Sequence, residues 1–313
     1  MVTTIRIGGY QGDKSVHTRG GRVFCDELKR LLGDDVETVF EENIVAQGNK
    51  AADLLSRAEE GSLDGCYFSS SYLAKRVPEL GLFDQHFVVP DRHSAYAVLD
   101  GALGKRLAEE VEARTGYAVL GYWDNGLRHI SSASVGIREP ADCTGLKIRT
   151  LANEDHKRVF RSLGFEPMAI DVRDLPAAVK DGTVDAQENP LTNIYNFELY
   201  KTHRHVTLTR HLLGVALVLF NKEAVRSWSD NTRQAVNEAL RLATIAQRKF
   251  AEEDDEICAN ALRAEGVEII ELDNEQRASF AAATKTEVDK TRANFPSELI
   301  ALFEQDLARH ENR

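Results

Sequence analysis

The chain has 313 residues, 42% hydrophobic and 28% charged positions, and only 7 prolines; this suits a globular protein of about two domains and excludes a disordered one. A net charge of -11 and an isoelectric point near 5.4 argue against nucleic acid as a partner, because phosphate backbones call for a surplus of Lys and Arg. An acidic chain that binds an anion must gather its positive charge at one point, so individual arginines in clefts become the residues to follow.

Strand-like and helix-like segments alternate through the first 125 residues. Thr4 to Ile7 reads as a strand ending in the turn Gly8-Gly9, and Val23, Phe24, Leu28, Leu31 and Leu32 recur at helical spacing. Val36 to Phe40 is a strand, Asn49 to Glu60 a helix, Leu63 to Phe68 a strand, Ser94 to Arg114 a helix and Tyr117 to Tyr122 a strand. Repeated β-α-β predicts a parallel sheet with helices on its faces. A second set begins near Arg128: strands His129 to Val135 and Leu146 to Thr150, a helix Asn153 to Leu163, and the strand Pro167 to Ile170. Helices follow at Asp174 to Lys180 and Pro190 to Thr202, the latter with Pro190 suited to a first helical position. Strands His205 to Thr209 and Val215 to Phe220 complete the set. No flexible linker separates the halves, so ordered strands are expected to join them.

Asp230 to Glu265 holds neither Pro nor Gly, with Val236, Leu240, Ala243, Phe250, Ile257 and Ala261 forming an apolar stripe. One helix of that length would measure about 54 Å, against about 35–40 Å for a lobe of that size. It either kinks, breaks into two helices near Glu252 to Asp255, or runs along both lobes as a shared beam.

No GxGxxG, GxxxxGK[ST], HExxH or GxSxG motif is present, so nothing recommends an enzyme and no cofactor is expected. Cys25, Cys66, Cys143 and Cys258 are scattered without a CxxC pair, which makes buried free thiols the default reading. His203 and His205 fall on one face of a strand, as a metal would require, yet no third ligand is evident and solvated surface histidines are the plainer reading. Asp171, Asp174, Asp181 and Asp185 fit caps and surface charge better than an acid/base pair. No run of 18 apolar residues could span a bilayer. Met1 to Ile5 lacks the features of a secretory signal, which leaves a cytosolic protein or one whose signal has been removed.

Two stretches are distinctive: Asn125-Gly126-Leu127-Arg128 with Pro140-Ala141-Asp142-Cys143-Thr144-Gly145-Leu146-Lys147-Ile148-Arg149, and Gly182-Thr183-Val184-Asp185-Ala186-Gln187-Glu188-Asn189-Pro190. In order and spacing the chain resembles the DctP-type substrate-binding proteins of tripartite ATP-independent periplasmic (TRAP) transporters. Weaker agreement extends to Gly61-Ser62-Leu63-Asp64 and to Thr209-Arg210-His211.

Read from its own residues, Arg149 ends a strand in which Leu146 and Ile148 alternate with Lys147 and itself, so its planar fork emerges at a carboxyl end where ligands sit in open α/β sheets. An interlobe salt bridge is the alternative. The resemblance implies that Arg149 is the main carboxylate clamp. Arg128 matches a second arginine, with a structural ion pair as the competing role, and Asn189 matches a ligand-facing asparagine that would otherwise cap the following helix. It further places Tyr10, Asn49, Ser69 and Tyr72 on the rim of the first lobe and His211 on the returning strand. Trp123 would stack on a ligand or simply pack, and Met168 with Ile170 would form apolar wall or core. Ser69 stands where some relatives carry an acidic residue, so no compulsory amine is expected; Pro176 replaces a frequent Tyr.

The resemblance implies a two-lobed α/β fold like type II periplasmic binding proteins, each lobe a mixed sheet flanked by helices. Lobe I would comprise 1–126 plus 213–248 and lobe II 127–212 plus 249–313. The lobes would close on a small hydroxy- or oxo-acid, with no metal-ligating residues named and a bridging metal ion left open. The receptor would be a periplasmic monomer, not inserted in the membrane, delivering its ligand to permease subunits driven by an ion gradient. A receptor for an ATP-driven importer or a sensor would share this physics, and a two-lobed enzyme is the remaining alternative.

Overall fold

The computed structural model describes residues 2–311, with side chains through 309. The first half contains β1 (Thr3–Gly8), α1 (Val16–Leu32), β2 (Val36–Glu41), α2 (Asp53–Glu59), β3 (Gly65–Ser69), α3 (Arg92–Asp100) and α4 (Ala102–Arg114). The long strand β4 (Tyr117–Ser132) leads to β5 (Lys147–Thr150), α5 (Glu154–Ser162), β6 (Glu166–Ala169), α6 (Leu175–Lys180), β7 (Ala186–Pro190) and α7 (Leu191–Asn196). A second long strand, β8 (His205–Asn221), is followed by α8 (Lys222–Ser227), α9 (Asp230–Ala264), β9 (Glu268–Glu271), α10 (Asn274–Arg292) and α11 (Ser297–Glu311). Among these helices none is long and apolar enough to cross a membrane.

All nine strands belong to one mixed sheet, ordered β2-β1-β3-β8-β4-β7-β5-β6, with β9 paired to β8. It is continuous because β4 and β8 run antiparallel to each other through both halves. The sequence suggests two separate strands in each of these stretches. The chain instead absorbs Asn125-Gly126 as a register shift between Asp124 and Leu127, opposite Val215 and Leu213. Gly126 has φ 85°, and a Cβ there would lie 2.4 Å from Cβ of Pro190, so only glycine fits this point. The expected lobe boundaries, 126/127 and 212/213, lie in this stretch.

β8 is buried along nearly its whole length, as a strand covered on both faces must be. Its residues sort by alternation. Val215, Leu217 and Leu219 pack with Leu103, Leu107 and Val111 of α4, while Ala216, Val218 and Phe220 pack with Phe24 and Leu28 of α1 and Val236 and Leu240 of α9. In the second half Ile130, Ile148, Phe160 and Phe280 form one cluster, and Leu191, Val206, Leu208, Cys258 and Leu262 another.

α9 is unbroken over 35 residues, about 52 Å. It is the shared beam: its start packs in the cluster with α1, its end in the cluster with α7. The apolar stripe shifts along it, since Ile257 is 61% exposed while Cys258, Ala259 and Leu262 face inward. The helix expected over Ser94 to Arg114 is two, broken at Gly101, where Asp306 of α11 accepts a hydrogen bond from the Leu103 amide at 2.9 Å. Pro190 ends β7 rather than opening a helix, and α7 stops at Asn196 before a short 3-10 turn. α11 departs from the expected grouping of 249–313 with lobe II: Leu299 and Phe303 join the cluster of α3 and α4, so this helix returns to the first lobe.

Asp306 is 2% exposed and supplies the side-chain acceptor at the start of α4. Losing a helix N-terminal acceptor costs about 0.5–2 kcal/mol. We expect Asp306→Ala to lower the urea midpoint accordingly without a change in slope. An unchanged midpoint would show that α11 docks without stabilising the first lobe.

Candidate functional site

The crossover fixes the site. Gln247 of α9, fully buried, takes the Asp124 backbone on both sides: it accepts from the amide at 2.9 Å and donates to the carbonyl at 2.6 Å. The Asp124 carboxylate accepts from Arg92 at 2.5 Å, from the Tyr96 hydroxyl at 2.6 Å and from the Gly126 amide at 2.5 Å. Arg92 also pairs with Asp255 of α9 at 2.9 Å. β4 therefore enters the second half in a fixed orientation, which aims the residues just after the register shift.

Those residues line a small cavity between the two halves, a place where small-ligand sites preferentially form. Arg149 reaches it from β5, Arg128 from β4 and Asn189 from β7. Tyr10, Ser69 and Tyr72 line it from the first half. Ala51, Phe68, Leu151 and Val172 supply apolar wall, while Gln11, Asn125 and Asn193 add carboxamides.

The two arginines are equally buried, at 1% exposure each, but differ in partners. Arg128 is paired with Glu188: Nε and Nη2 both donate to its carboxylate, Nη2 at 2.8 Å, and Nη2 also donates to the Glu188 carbonyl at 2.8 Å. Behind Glu188 stands Nε2 of His211 at 3.4 Å. Burial alone would raise the Glu188 carboxyl, yet Arg128 and His211 hold it well below the usual carboxylate range. Burial likewise works against the Arg128 cation, and the Glu188 charge outweighs it.

Arg149 has no such anion. Its Nε donates to the Ile170 carbonyl at 2.9 Å, and among the described residues no carboxylate lies within salt-bridge distance. Burial is the leading influence on it and lowers its basicity, the opposite outcome to Arg128. The formal charges of Arg128, Glu188 and Arg149 sum to one positive charge, contributed by Arg149. A desolvated guanidinium needs an anion, and the planar fork suits a carboxylate. Among the described residues the hydroxyls of Tyr10, Tyr72 and Ser69 have no hydrogen-bond partner. The Asn189 carboxamide is engaged on both sides: Nδ2 donates to Gln187 Oε1 at 2.5 Å, and Oδ1 accepts from Asn193 at 3.1 Å and Arg128 at 3.4 Å.

Four expected site residues lie outside the cavity. Asn49 donates to the Ile44 carbonyl at 3.3 Å and shapes its loop, leaving Ala51 to face inward. Trp123 is buried in the cluster with α1 and α9 and donates to Thr244 at 3.1 Å. Met168 is 38% exposed on the edge strand β6. His211 sits behind Glu188, its ring stacked on His86 at 5.3 Å. His203 is fully buried and bonded to Ser131 at 3.0 Å, while His205 faces Glu268 at 2.8 Å, so they are not a surface pair; no cluster suited to a metal occurs among the described residues. All four cysteines are free, three buried and Cys25 half-buried.

Sequence reasoning missed Gln11, Asn125, Asn193 and the Asp124–Gln247 clamp. Asn125 and Glu188 stand inside the two distinctive stretches, so adjacency was the available signal for them. Nothing local marks Gln247.

A deep cavity between two lobes, floored by one uncompensated cation, is the architecture of a solute receptor. The chain belongs to the bacterial extracellular solute-binding proteins of family 7, DctP, whose model matches residues 8–294. It is 30% identical over 242 residues to a 2,3-diketo-L-gulonate-binding periplasmic protein of Escherichia coli, covering 77% of this chain and 72% of that one. Among solved structures it is similar to a sugar acid binding protein from Advenella mimigardefordensis in complex with galactonate, with a TM-score of 0.92, 25% identity and 98% of each chain covered. A TRAP periplasmic solute-binding protein from a Polaromonas species bound to D-erythronate matches with a TM-score of 0.89 and 26% identity, over 96% of this chain and 98% of that chain.

The buried histidines set a pH dependence. Burial lowers His17 and His203 to about 4 and pushes His86 and His129 well down. Between pH 6.5 and 4 the unfolded chain binds protons that the folded chain refuses, so stability falls as pH falls. Asp255, pushed up to about 6 by burial, acts in the opposite sense but is one group against several. Thermal unfolding should occur at a lower temperature at pH 5 than at pH 7; a flat or rising profile would contradict the burial of these rings.

Proposed function

We propose that the protein is an extracytoplasmic receptor for a small organic monocarboxylate, a hydroxy- or oxo-acid. The Arg149 fork holds the carboxylate in the cavity between the lobes, and the ligand passes to the membrane permease of a TRAP transporter driven by an ion gradient. The observation that carries this reading is Arg149: fully buried, facing the cavity, and unpaired with any acid among the described residues. One free positive charge favours one carboxylate over two. Family membership and the sugar-acid ligands named for the similar proteins support the same class. The receptor acts in the periplasm as a monomer and releases its ligand unchanged.

Arg149→Ala removes one partner of a desolvated charge pair, which costs about 2–5 kcal/mol, so binding should weaken by roughly 30- to 4,000-fold. Arg149→Lys keeps the charge but loses the fork and should recover only part of that. Arg128→Ala acts differently, because it leaves Glu188 buried without its cation and should destabilise the fold by about 3–5 kcal/mol. Calorimetry with a panel of small acids, together with denaturant melts, separates the two effects. Parent-like affinity in folded Arg149→Ala would end the carboxylate assignment.

Because no nucleophile or cofactor motif accompanies the cavity, mass spectrometry after long incubation should return the bound acid unaltered. Conversion beyond one molecule per protein would instead identify an enzyme.

A further inference from the structure

Two side chains cross between the halves in opposite directions. Phe87, from the first half of the chain, packs against the second-half cluster of Ile130, Ile148, Phe160 and Phe280, with its ring centroid 6.4 Å from that of Phe280. Val172, in the loop between β6 and α6, packs against the first-half cluster that holds Ile44, Ala51 and Leu54, and it lines the arginine cavity beside Ala51 and Tyr72. Among the described residues, no other member of 1–126 joins that second-half cluster, and no other member of 127–212 joins that first-half cluster.

The two seats differ in their distance from the crossover. The Phe87 amide donates to the His211 carbonyl of β8 at 2.7 Å, so its ring is anchored on a strand that both halves share. Its φ of 61° is a strained value for a non-glycine residue, held because amide and ring are both fixed. Val172 follows β6, the strand at the end of the sheet and three places from β4, about 14 Å away at ordinary strand spacing. Rotation about the crossover therefore barely shifts Phe87 but lifts Val172 out of its seat. The Val172 loop is also tied to Arg149, because the Ile170 carbonyl accepts from Arg149 Nε at 2.9 Å. Asp171 stiffens the stretch that follows: its carboxylate accepts from the Arg173 amide at 3.0 Å, and its carbonyl accepts from the amides of Asp174 at 3.0 Å and Leu175 at 3.1 Å. Arg173 in turn lies in the field of Asp53 at the start of α2, on the first-half side of the cleft.

We propose that Val172 is a closure latch: a positioning residue that enters the apolar core of the first lobe only when the cleft shuts, set at the right height by the Ile170–Arg149 bond, while Phe87 is a pivot that stays seated in open and closed forms. This rests on the receptor reading above and adds the part that holds the closed form. A carboxylate on the outer nitrogens of Arg149 leaves Nε on Ile170, so the side chain that takes the ligand's charge also holds the latch loop. Val172 then stabilises every liganded complex alike, whatever the length of the acid. A seat formed only on closure acts on release rather than on encounter.

Calorimetry, binding kinetics and ligand-free thermal melts on Val172→Ala and Phe87→Leu test this, with glycolate, 2-hydroxybutyrate and 2-hydroxyhexanoate as probes. Val172→Ala should weaken every acid that binds the parent by one common factor, about three- to tenfold from the lost apolar burial. The loss should come through faster dissociation, with the ligand-free melting temperature unchanged. Phe87→Leu should do the reverse, lowering the ligand-free melting temperature and leaving affinities unchanged. The assignment is overturned if the Val172→Ala loss grows with the length of the acid, which marks a ligand contact, or if no acid is affected. It also falls if the ligand-free melt of Val172→Ala drops as that of Phe87→Leu does. A ligand-free arm stands apart from the carboxylate reading: with Ala51→Cys and Val172→Cys in a Cys25→Ser background, dibromobimane should join the two thiols and reduce the radius of gyration seen by small-angle scattering. Should no acid bind the parent while this crosslink forms, the carboxylate reading fails and the latch stands; a pair that does not crosslink overturns the latch.

Discussion

A buried guanidinium costs a folded chain several kcal/mol unless a counter-charge or a full set of acceptors replaces its water. Two such groups lie side by side here, and the difference between them organises the site. Arg128 is neutralised within the protein by Glu188, which is itself backed by His211. Arg149 receives one backbone carbonyl and, among the described residues, nothing anionic. The first arrangement is a finished structural element. In the proposed function the second is completed by the ligand's carboxylate, and closure of the lobes would strengthen the pair by desolvating it.

The frame that holds this charge in place is a set of long elements rather than a linker. β4, β8 and α9 each extend through both halves, and the Asp124–Gln247 exchange ties strand to helix where the halves meet. Any rotation between lobes must bend these elements near the register shift at Gly126. A clamp of two reciprocal hydrogen bonds and a shared carboxylate confines such motion to a hinge. α11 adds a further tie, because the last helix returns to cap the first lobe through Asp306.

The residues that a ligand would meet are therefore of two kinds. Some are groups facing the cavity: the Arg149 fork, the hydroxyls of Tyr10, Tyr72 and Ser69, and the carboxamides of Gln11, Asn125 and Asn193. Others, such as Asn189, are spent on orienting them. Asn189 links Gln187 to Asn193 and so fixes which end of the Asn193 amide faces the cavity. A site preorganised in this way loses less side-chain freedom on binding.

Much of this was legible in the sequence. Period-2 and helical patterns located most strands and helices. The charge economy of an acidic chain turned attention to its arginines; the end of a strand pointed to Arg149, and the family resemblance pointed to Arg149 and Arg128. Where local pattern erred, tertiary contacts had overruled it. Asn125-Gly126 reads as a turn, yet pairing with β7 and β8 keeps β4 running through it. Ser94 to Arg114 reads as one helix, yet a distant carboxylate on α11 caps a second start. His211 and Trp123 carry ligand-binding chemistry, but their side chains point into packed core. The sequence by itself determined residue chemistry and local periodicity, because both depend on neighbours along the chain. Which arginine is neutralised, which amide faces the cavity and which lobe the last helix joins were decided only by the tertiary structure, because each depends on partners tens to hundreds of residues away.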